Sequence, residues 1–219
     1  MLMLFLAFVA SRCYNVIYTF ARVLKMELIN VYVAKIPDND VFLPIYPTER
    51  SEYVAAAKSD SVRRERYYVW RLLEHAIADC VRIKTEDISF CCENGRWSCD
   101  KCHFSLAHSD GVVAVAISSA PVGVDIEEIK PPRAEGFKDR ILSSDERAAC
   151  GEADAIALWC KKEALFKRGG GDKFIPREVS TVGAECKLRK ISVGGSDYYL
   201  AVACDHSGEI KLYENIDLK

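Results

Sequence analysis

From Val122 to Ile129 the chain alternates with a period of two: Val122, Val124 and Ile126 fall on one parity, Gly123, Asp125 and Glu127 on the other. That is the period of a β-strand, so the apolar set faces a core while Asp125 and Glu127 project together from the opposite face. Two carboxylates at i and i+2 repel unless a cation or water screens them. Further on, Trp159-Cys-Lys-Lys-Glu-Ala-Leu-Phe-Lys167 sets Glu163 and Lys167 one turn apart on one helical face. If that helix crosses that strand, three carboxylates and an ammonium converge. Hard oxygen donors with open positions suit Mg²⁺, which keeps waters and takes further ligands from a phosphate-bearing substrate. Taken singly, each piece has a blander reading: a solvated strand face, and a helix ion pair worth about 0.3–0.5 kcal/mol.

Taken together, Gly123-Val-Asp125-Ile-Glu127 and Trp159-x-x-Lys162-Glu163-Ala-x-x-Lys167 resemble the signature of the 4′-phosphopantetheinyl transferase superfamily, in its larger two-half branch. The resemblance runs roughly over 26–219 and is tightest from about Phe104 to Gly171. It implies an α+β fold of two similar halves related by a pseudo-twofold, each a small antiparallel sheet with a long helix against it. The active site would lie in the cleft between them. The halves would be 26–119 and 120–219, the second carrying the metal-site motifs; Val113-Ala-Val-Ala and Leu200-Ala-Val-Ala are a faint internal echo. A fused pair of this kind implies a monomer.

At 219 residues, half of them hydrophobic, the chain can bury one good core or two small ones. Its formal charge of −2, with both signs interspersed, speaks against a nucleic-acid binder. Ten cysteines, scattered or adjacent, read as reduced thiols of a cytoplasmic protein. The first 25 residues differ from the rest. Their apolar run is shorter than the ~20 residues a membrane span needs, and it lacks the basic residues that precede a signal-peptide core. A weak export signal, a membrane-surface helix and a start upstream of the true one all fit, and the last is preferred because Met26 opens a natural first strand.

That strand covers Leu28–Ala34. Pro37, Pro44 and Pro47 mark a loop, a helical region begins at Thr48, and a long amphipathic helix runs from about Asp60 to Val81. Its arginines, Arg63, Arg64, Arg66 and Arg71, read as a solvated face; the resemblance implies that basic residues here bind coenzyme A phosphates, and Arg66 is taken as the representative. Ile88–Cys92 starts a short strand before the turn Glu93-Asn-Gly-Arg96. The family often has Gly-Lys-Pro at this turn, where this chain has Gly95-Arg96-Trp97; Arg96 would keep the charge near coenzyme A. Cys99-x-x-Cys102 with Cys91 and Cys92 upstream is a candidate zinc knuckle, though unligated thiols are the preferred reading. His108-Ser109 resembles the family's Ser-His-Ser-Gly phosphate contact, with Ala107 in place of the first serine and Asp110 inserted before Gly111. Val112–Ile117 reads as a buried strand. Short helices are expected at Phe137–Leu142 and from Ser143, where the family places carrier contacts. A helix from Ala153 to Lys167 should be capped by Gly169-Gly-Gly171, which lacks the flanking features of a P-loop. Strands are expected at Glu178–Val182, Glu185–Ser192, Tyr198–Cys204 and Ile210–Tyr213.

The activity the resemblance implies is transfer of phosphopantetheine from coenzyme A to a serine of an acyl or peptidyl carrier protein, releasing 3′,5′-ADP. Asp125, Glu127 and Glu163 would hold Mg²⁺. Glu163 would accept the serine proton, Lys167 would neutralise charge on the leaving side, and Lys162, His108, Ser109, Arg96 and Arg66 would contact coenzyme A. Glu128 lies on the other strand face and is left out. The competing class is a non-catalytic carrier-binding relative or a cysteine-centred zinc module. Which carrier is served is not written in the sequence.

Overall fold

The computed structural model describes residues 28–38, 41–131, 136–149, 154–205 and 208–218. The expectation about residues 1–25 lies outside the described residues. The strands are β1 (Ile29–Lys35), β2 (Phe90–Glu93), β3 (Arg96–Cys99), β4 (His103–Ser109), β5 (Val112–Ser118), β6 (Val122–Glu128), β7 (Cys186–Val193), β8 (Ser196–Cys204) and β9 (Ile210–Tyr213). The helices are α1 (Thr48–Ala55), α2 (Asp60–Ala76), α3 (Phe137–Ile141), α4 (Glu146–Ala149) and α5 (Ala155–Gly169).

Four layers result. One sheet has the order β4-β5-β1-β9 and the other β6-β8-β7. Their inner faces meet in a shared core, where Val31 and Val33 of β1 and Ala114 and Ala116 of β5 face Val124 and Ile126 of β6 and Leu200 and Val202 of β8. The outer face of the first sheet is covered by α2, whose Tyr68, Val69, Leu72 and Leu73 pack on Tyr32, Val113 and Val115. The outer face of the second is covered by α5 through Cys160, Ala164 and Leu165 against Ala201 and Ala203. Each sheet therefore carries one long helix, as expected, and the class is α+β.

Between the sheets, β4 runs beside β6 without a backbone ladder. Serine hydroxyls bridge the gap: Ser105 Oγ accepts from Val124 N–H at 3.0 Å and Ser109 Oγ from Glu128 N–H at 3.3 Å. A small hydroxyl at these points satisfies buried N–H groups that would otherwise cost about 1–3 kcal/mol each. This seam is what brings His108 and Asp125 into one region.

Two expectations change. β9 pairs in parallel with β1, Ile29 opposite Ile210 through Tyr32 opposite Tyr213. The C-terminal strand thus completes the first sheet, which is mixed rather than antiparallel, and the division at residue 120 does not separate the sheets. Glu178–Val182 is not a strand: a short 3₁₀ turn, Pro176–Glu178, leads into a loop. The backbone there is claimed by a buried ion pair, described below. The long helix ends as foreseen near Val81, its last turn, Ile77–Val81, widening to a π-helix before Arg82 at φ 61°. No helix among the described residues is long and apolar enough to cross a membrane.

Candidate active site

The site begins with a missing side chain. A Cβ on Gly123 would lie 1.9 Å from the Ala164 carbonyl oxygen and 2.6 Å from Arg168 N, so only glycine lets the α5 backbone rest directly on β6. Asp154 caps the start of α5, accepting from Ile156 N–H at 2.8 Å, and Gly170 at φ 79° closes its end. This close crossing lays Glu163 and Lys167 over Asp125 and Glu127.

The ammonium sits among the acids. Lys167 Nζ is 2.8 Å from Asp125 Oδ1 and 3.8 Å from Glu163 Oε2. Glu127 accepts from Trp159 Nε1 at 2.9 Å through one oxygen and from Ser109 Oγ at 3.3 Å through the other. Asp125 is 4% exposed, and its Oδ2 is buried with no partner. Its carboxyl is pushed up to about 7, first by burial, with repulsion from Glu163 and Glu127 adding and Lys167 opposing. Burial likewise raises Glu127, against the bonds from Trp159 and Ser109. Burial works against the Lys167 ammonium, yet Asp125 and Glu163 outweigh it and hold its pKa above the ordinary lysine value.

Three carboxylates share one cation here. The buried, partnerless Oδ2 of Asp125 and the hard-oxygen donor set fit a divalent ion such as Mg²⁺. Among the described residues no three acidic, cysteine or histidine side chains are yet gathered to metal-ligand geometry. Lys167 Nζ lies between Asp125 and Glu163 instead.

Beside this cluster opens a cavity of about 300 Å³ whose wall includes Arg50, Arg66, Arg96, His108 and Lys167. Of the four α2 arginines only Arg66 lines it. Arg63 pairs with Asp60, Arg64 donates to Pro37 O, and Arg71 pairs with Glu74. Arg50, which no sequence motif singles out, is 3% exposed. Its guanidinium lies 4.6 Å from the Trp70 ring centre and 5.6 Å from that of Trp97. Its Nε is buried without a partner, and burial pushes its pKa down to about 10. Its Nη2 donates to Arg66 O, but among the described residues no carboxylate pairs with it, and a buried guanidinium with a spare N–H suits an anion. His108 Nδ1 is 3.3 Å from Glu65 Oε2. Although the side chain is 45% exposed, desolvation in the cavity wall and then Lys167, Arg50 and Arg66 push its imidazole down to about 4. Arg96, on β3, reaches across to Gly170, where an added Cβ would be 3.3 Å from its Nη1.

Two expected contacts lie elsewhere. Ser109 does not line the cavity; its hydroxyl is engaged with Asp110, Glu127 and the Glu128 N–H. Lys162 is fully buried on the far side of α5, paired with Glu146 at 2.5 Å and donating to the carbonyls of Pro176 and Val179. With three acceptors for three ammonium protons, it has nothing left for a phosphate. The expectation of a coenzyme contact at Lys162 is corrected. The cysteine-rich hairpin shows no three-ligand cluster among the described residues, and the described cysteines are free thiols.

Residues 121–178, which hold both halves of the carboxylate cluster, match the family model described as the 4′-phosphopantetheinyl transferase superfamily. Over that segment the chain is similar to members of that superfamily. It is 37% identical over 110 residues to 4′-phosphopantetheinyl transferase psf-1 of Bacillus pumilus, covering 45% of this chain and 47% of that protein. It is 28% identical over 140 residues to a 4′-phosphopantetheinyl transferase of Bacillus subtilis, covering 52% and 62%. A third relative, gsp of Aneurinibacillus migulanus, is 36% identical over 80 residues, 34% of each chain. The chain thus spans about half the length of the curated relatives it matches.

Proposed function

We propose that this protein transfers 4′-phosphopantetheine from coenzyme A to a serine of an acyl or peptidyl carrier protein, giving the holo-carrier and 3′,5′-ADP. One observation carries the reading. Asp125, Glu127, Glu163 and Lys167 stand at the edge of a cavity lined by three arginines and a histidine, so a polyanion held there meets an acid–base cluster. Arg50, Arg66 and Arg96 would neutralise and orient the phosphates, each as a planar fork. His108, its pKa held down by the surrounding cations, would donate to a phosphate oxygen and gain a proton as negative charge arrives.

Asp125, Glu127 and Glu163 would hold Mg²⁺, which supplies charge neutralisation at the pyrophosphate when bound. The serine oxygen forms its bond to the phosphorus on the pantetheine side, and the bond to the oxygen of 3′,5′-ADP breaks. Glu163 takes the serine proton, and Lys167 offsets the charge that develops on the departing phosphate. Such a displacement depends on position and field more than on covalent help. The pseudo-twofold, the monomeric state and a cytoplasmic location belong to the same proposal, supported by the matched pair of sheet-and-helix units and the free thiols.

The test is mass spectrometry of apo carrier proteins from fatty-acid and peptide-synthetase systems, incubated with the full chain, coenzyme A and Mg²⁺. One added phosphopantetheine, lost on chelation with EDTA and restored by Mg²⁺, is the expected result. No addition to either carrier, with coenzyme A bound in a parallel titration, would leave a binding protein and overturn the enzymatic reading.

A further inference from the structure

β3 ends at Cys99 and β4 begins at His103; Asp100 and Lys101 form the turn between Cys99 and Cys102. The turn is tied down. Asp100 N–H donates to Ser89 O at 3.3 Å, Ser89 N–H donates to Asp100 Oδ1 at 3.1 Å, and Lys101 pairs with Asp100 at 2.7 Å. Held this way, the two sulfurs are in contact, 3.7 Å apart, and both residues are partly exposed. Neither thiol belongs to the carboxylate cluster or to the wall of the cavity.

The two thiols differ in character. The bond with Cys102, aided by the N–H groups of Lys101 and Cys102, holds the Cys99 thiol down at about 6 against its partial burial. The same contact with Cys99, with burial added, pushes Cys102 up. Cys80, which packs near them, is raised to about 11, mainly by burial. Cys99 Sγ–H also donates to the Cys102 carbonyl at 3.3 Å, and two sulfurs in contact across a two-residue turn have the geometry that thiol–disulfide exchange needs. A metal site would need further ligands, and among the described residues no third one joins them.

We propose that Cys99 and Cys102 form a reversible dithiol–disulfide couple that takes a small-molecule disulfide as its oxidant. The Cys99 thiolate attacks one sulfur of the oxidant, forming a mixed disulfide and releasing one thiolate. Cys102 then attacks Cys99 Sγ, losing its proton to solvent, and the second thiolate departs. One oxidant disulfide is reduced to two thiols and one protein disulfide forms. The couple would staple the end of β3 to the start of β4. Trp97 and Phe104, each two residues from one of the cysteines, line the phosphate-side cavity, so oxidation would fix the spacing of that wall.

The sequence supplies an unambiguous readout. Trypsin cuts after Lys101, so Trp97-Ser-Cys-Asp-Lys101 carries Cys99 alone, and the peptide that starts at Cys102 holds no other cysteine. The full chain would be equilibrated in glutathione buffers of rising disulfide share, its free thiols alkylated, and the digest weighed. The two peptides should appear joined in growing yield and separate with dithiothreitol, and Cys102→Ser should leave glutathione on Cys99. Replacing Cys91 and Cys92 with serine should not change the joined yield. Recovery of both peptides alkylated at every ratio, with the circular dichroism unchanged, would overturn the proposal. So would stoichiometric zinc in the purified protein that Cys99→Ser releases, since the thiols would then be ligands.

Discussion

Two charged clusters hang from the same helix, and adjacent residues feed them. Lys162 points away from β6 into Glu146; Glu163 points toward Asp125 and Lys167. The Lys162 cluster is closed: Glu146 receives the Ser143 N–H at 2.9 Å, the Thr181 N–H at 2.8 Å and the Thr181 hydroxyl at 2.7 Å, besides the ammonium. The Asp125 cluster is open, with one partnerless oxygen, three acids and one ammonium. A saturated pair fixes the 176–181 loop against α5; an unsaturated one is poised for something not part of the chain. Satisfaction of hydrogen-bonding capacity, not proximity to the motif, separates structure from chemistry.

The sharpest way to break the comparison is to cut each cluster. Lys162→Ala leaves Glu146 buried and uncompensated, which should cost about 3–5 kcal/mol in urea unfolding. A Glu146→Leu plus Lys162→Met double variant should recover much of it, because an apolar pair needs no solvation. A Lys162→Ala protein as stable as the parent, yet weakened in coenzyme A binding, would restore the discarded phosphate role. Asp125→Asn should do the reverse. Transfer should fall by about 10²–10³, the range for losing one preorganised electrostatic group, while unfolding stability stays level or rises. A loss of stability like that of Lys162→Ala would show that the two clusters are alike after all.

What the sequence revealed follows the same divide. Asp125 with Glu127, and Glu163 with Lys167, were legible because strand and helix periods decide which side chains share a face. Gly123 was visible only as part of a motif; that it seats the α5 backbone on β6 is a tertiary fact. Lys162 misled because neighbours in a helix face about 100° apart, and what lies on the second face is set by packing. Arg50 was illegible because its setting is built from Trp70 and Trp97, distant in sequence. The failed strand at 178–182 has the same origin, since Lys162 and Glu146 took the backbone groups a ladder would have used. β9 reached β1 by a parallel pairing that no local pattern encodes.

The clusters should also pull stability in opposite directions with pH. Glu146 is held down to about 2 from an ordinary 4.5: burial pushes it up, and the bonds from Lys162, Ser143 and Thr181 outweigh that. Its contribution is complete above the unfolded value and is lost as pH falls from 4.5 toward 2. Asp125 is raised from 3.8 to about 7, so the folded state binds the extra proton and stability declines as pH rises across that window. Urea midpoints across the acid range should show Glu146→Gln flattening the low-pH limb and Asp125→Asn the upper one. A single variant that flattened both limbs would mean one coupled cluster.

The smallest effect expected is at Trp159, and it tests whether the open cluster is held in place by its surroundings. The indole N–H on Glu127 Oε1 is a neutral donor to a charged acceptor, worth about 1.5–3 kcal/mol at most, and Ser109 still holds the other oxygen. Trp159→Phe keeps an aromatic ring near Phe137 and Phe174, which Trp159 meets at 5.6 and 5.2 Å between ring centres, so packing should survive. Glu127 would then be held by the Ser109 hydroxyl alone. Half-saturating Mg²⁺ in the transfer assay should rise about tenfold, the equivalent of 1.4 kcal/mol, with the rate at saturating Mg²⁺ nearly unchanged. A fall in the saturated rate with unchanged Mg²⁺ dependence would instead place the indole against the substrate, and the open cluster would then extend one turn further along α5 than its carboxylates indicate.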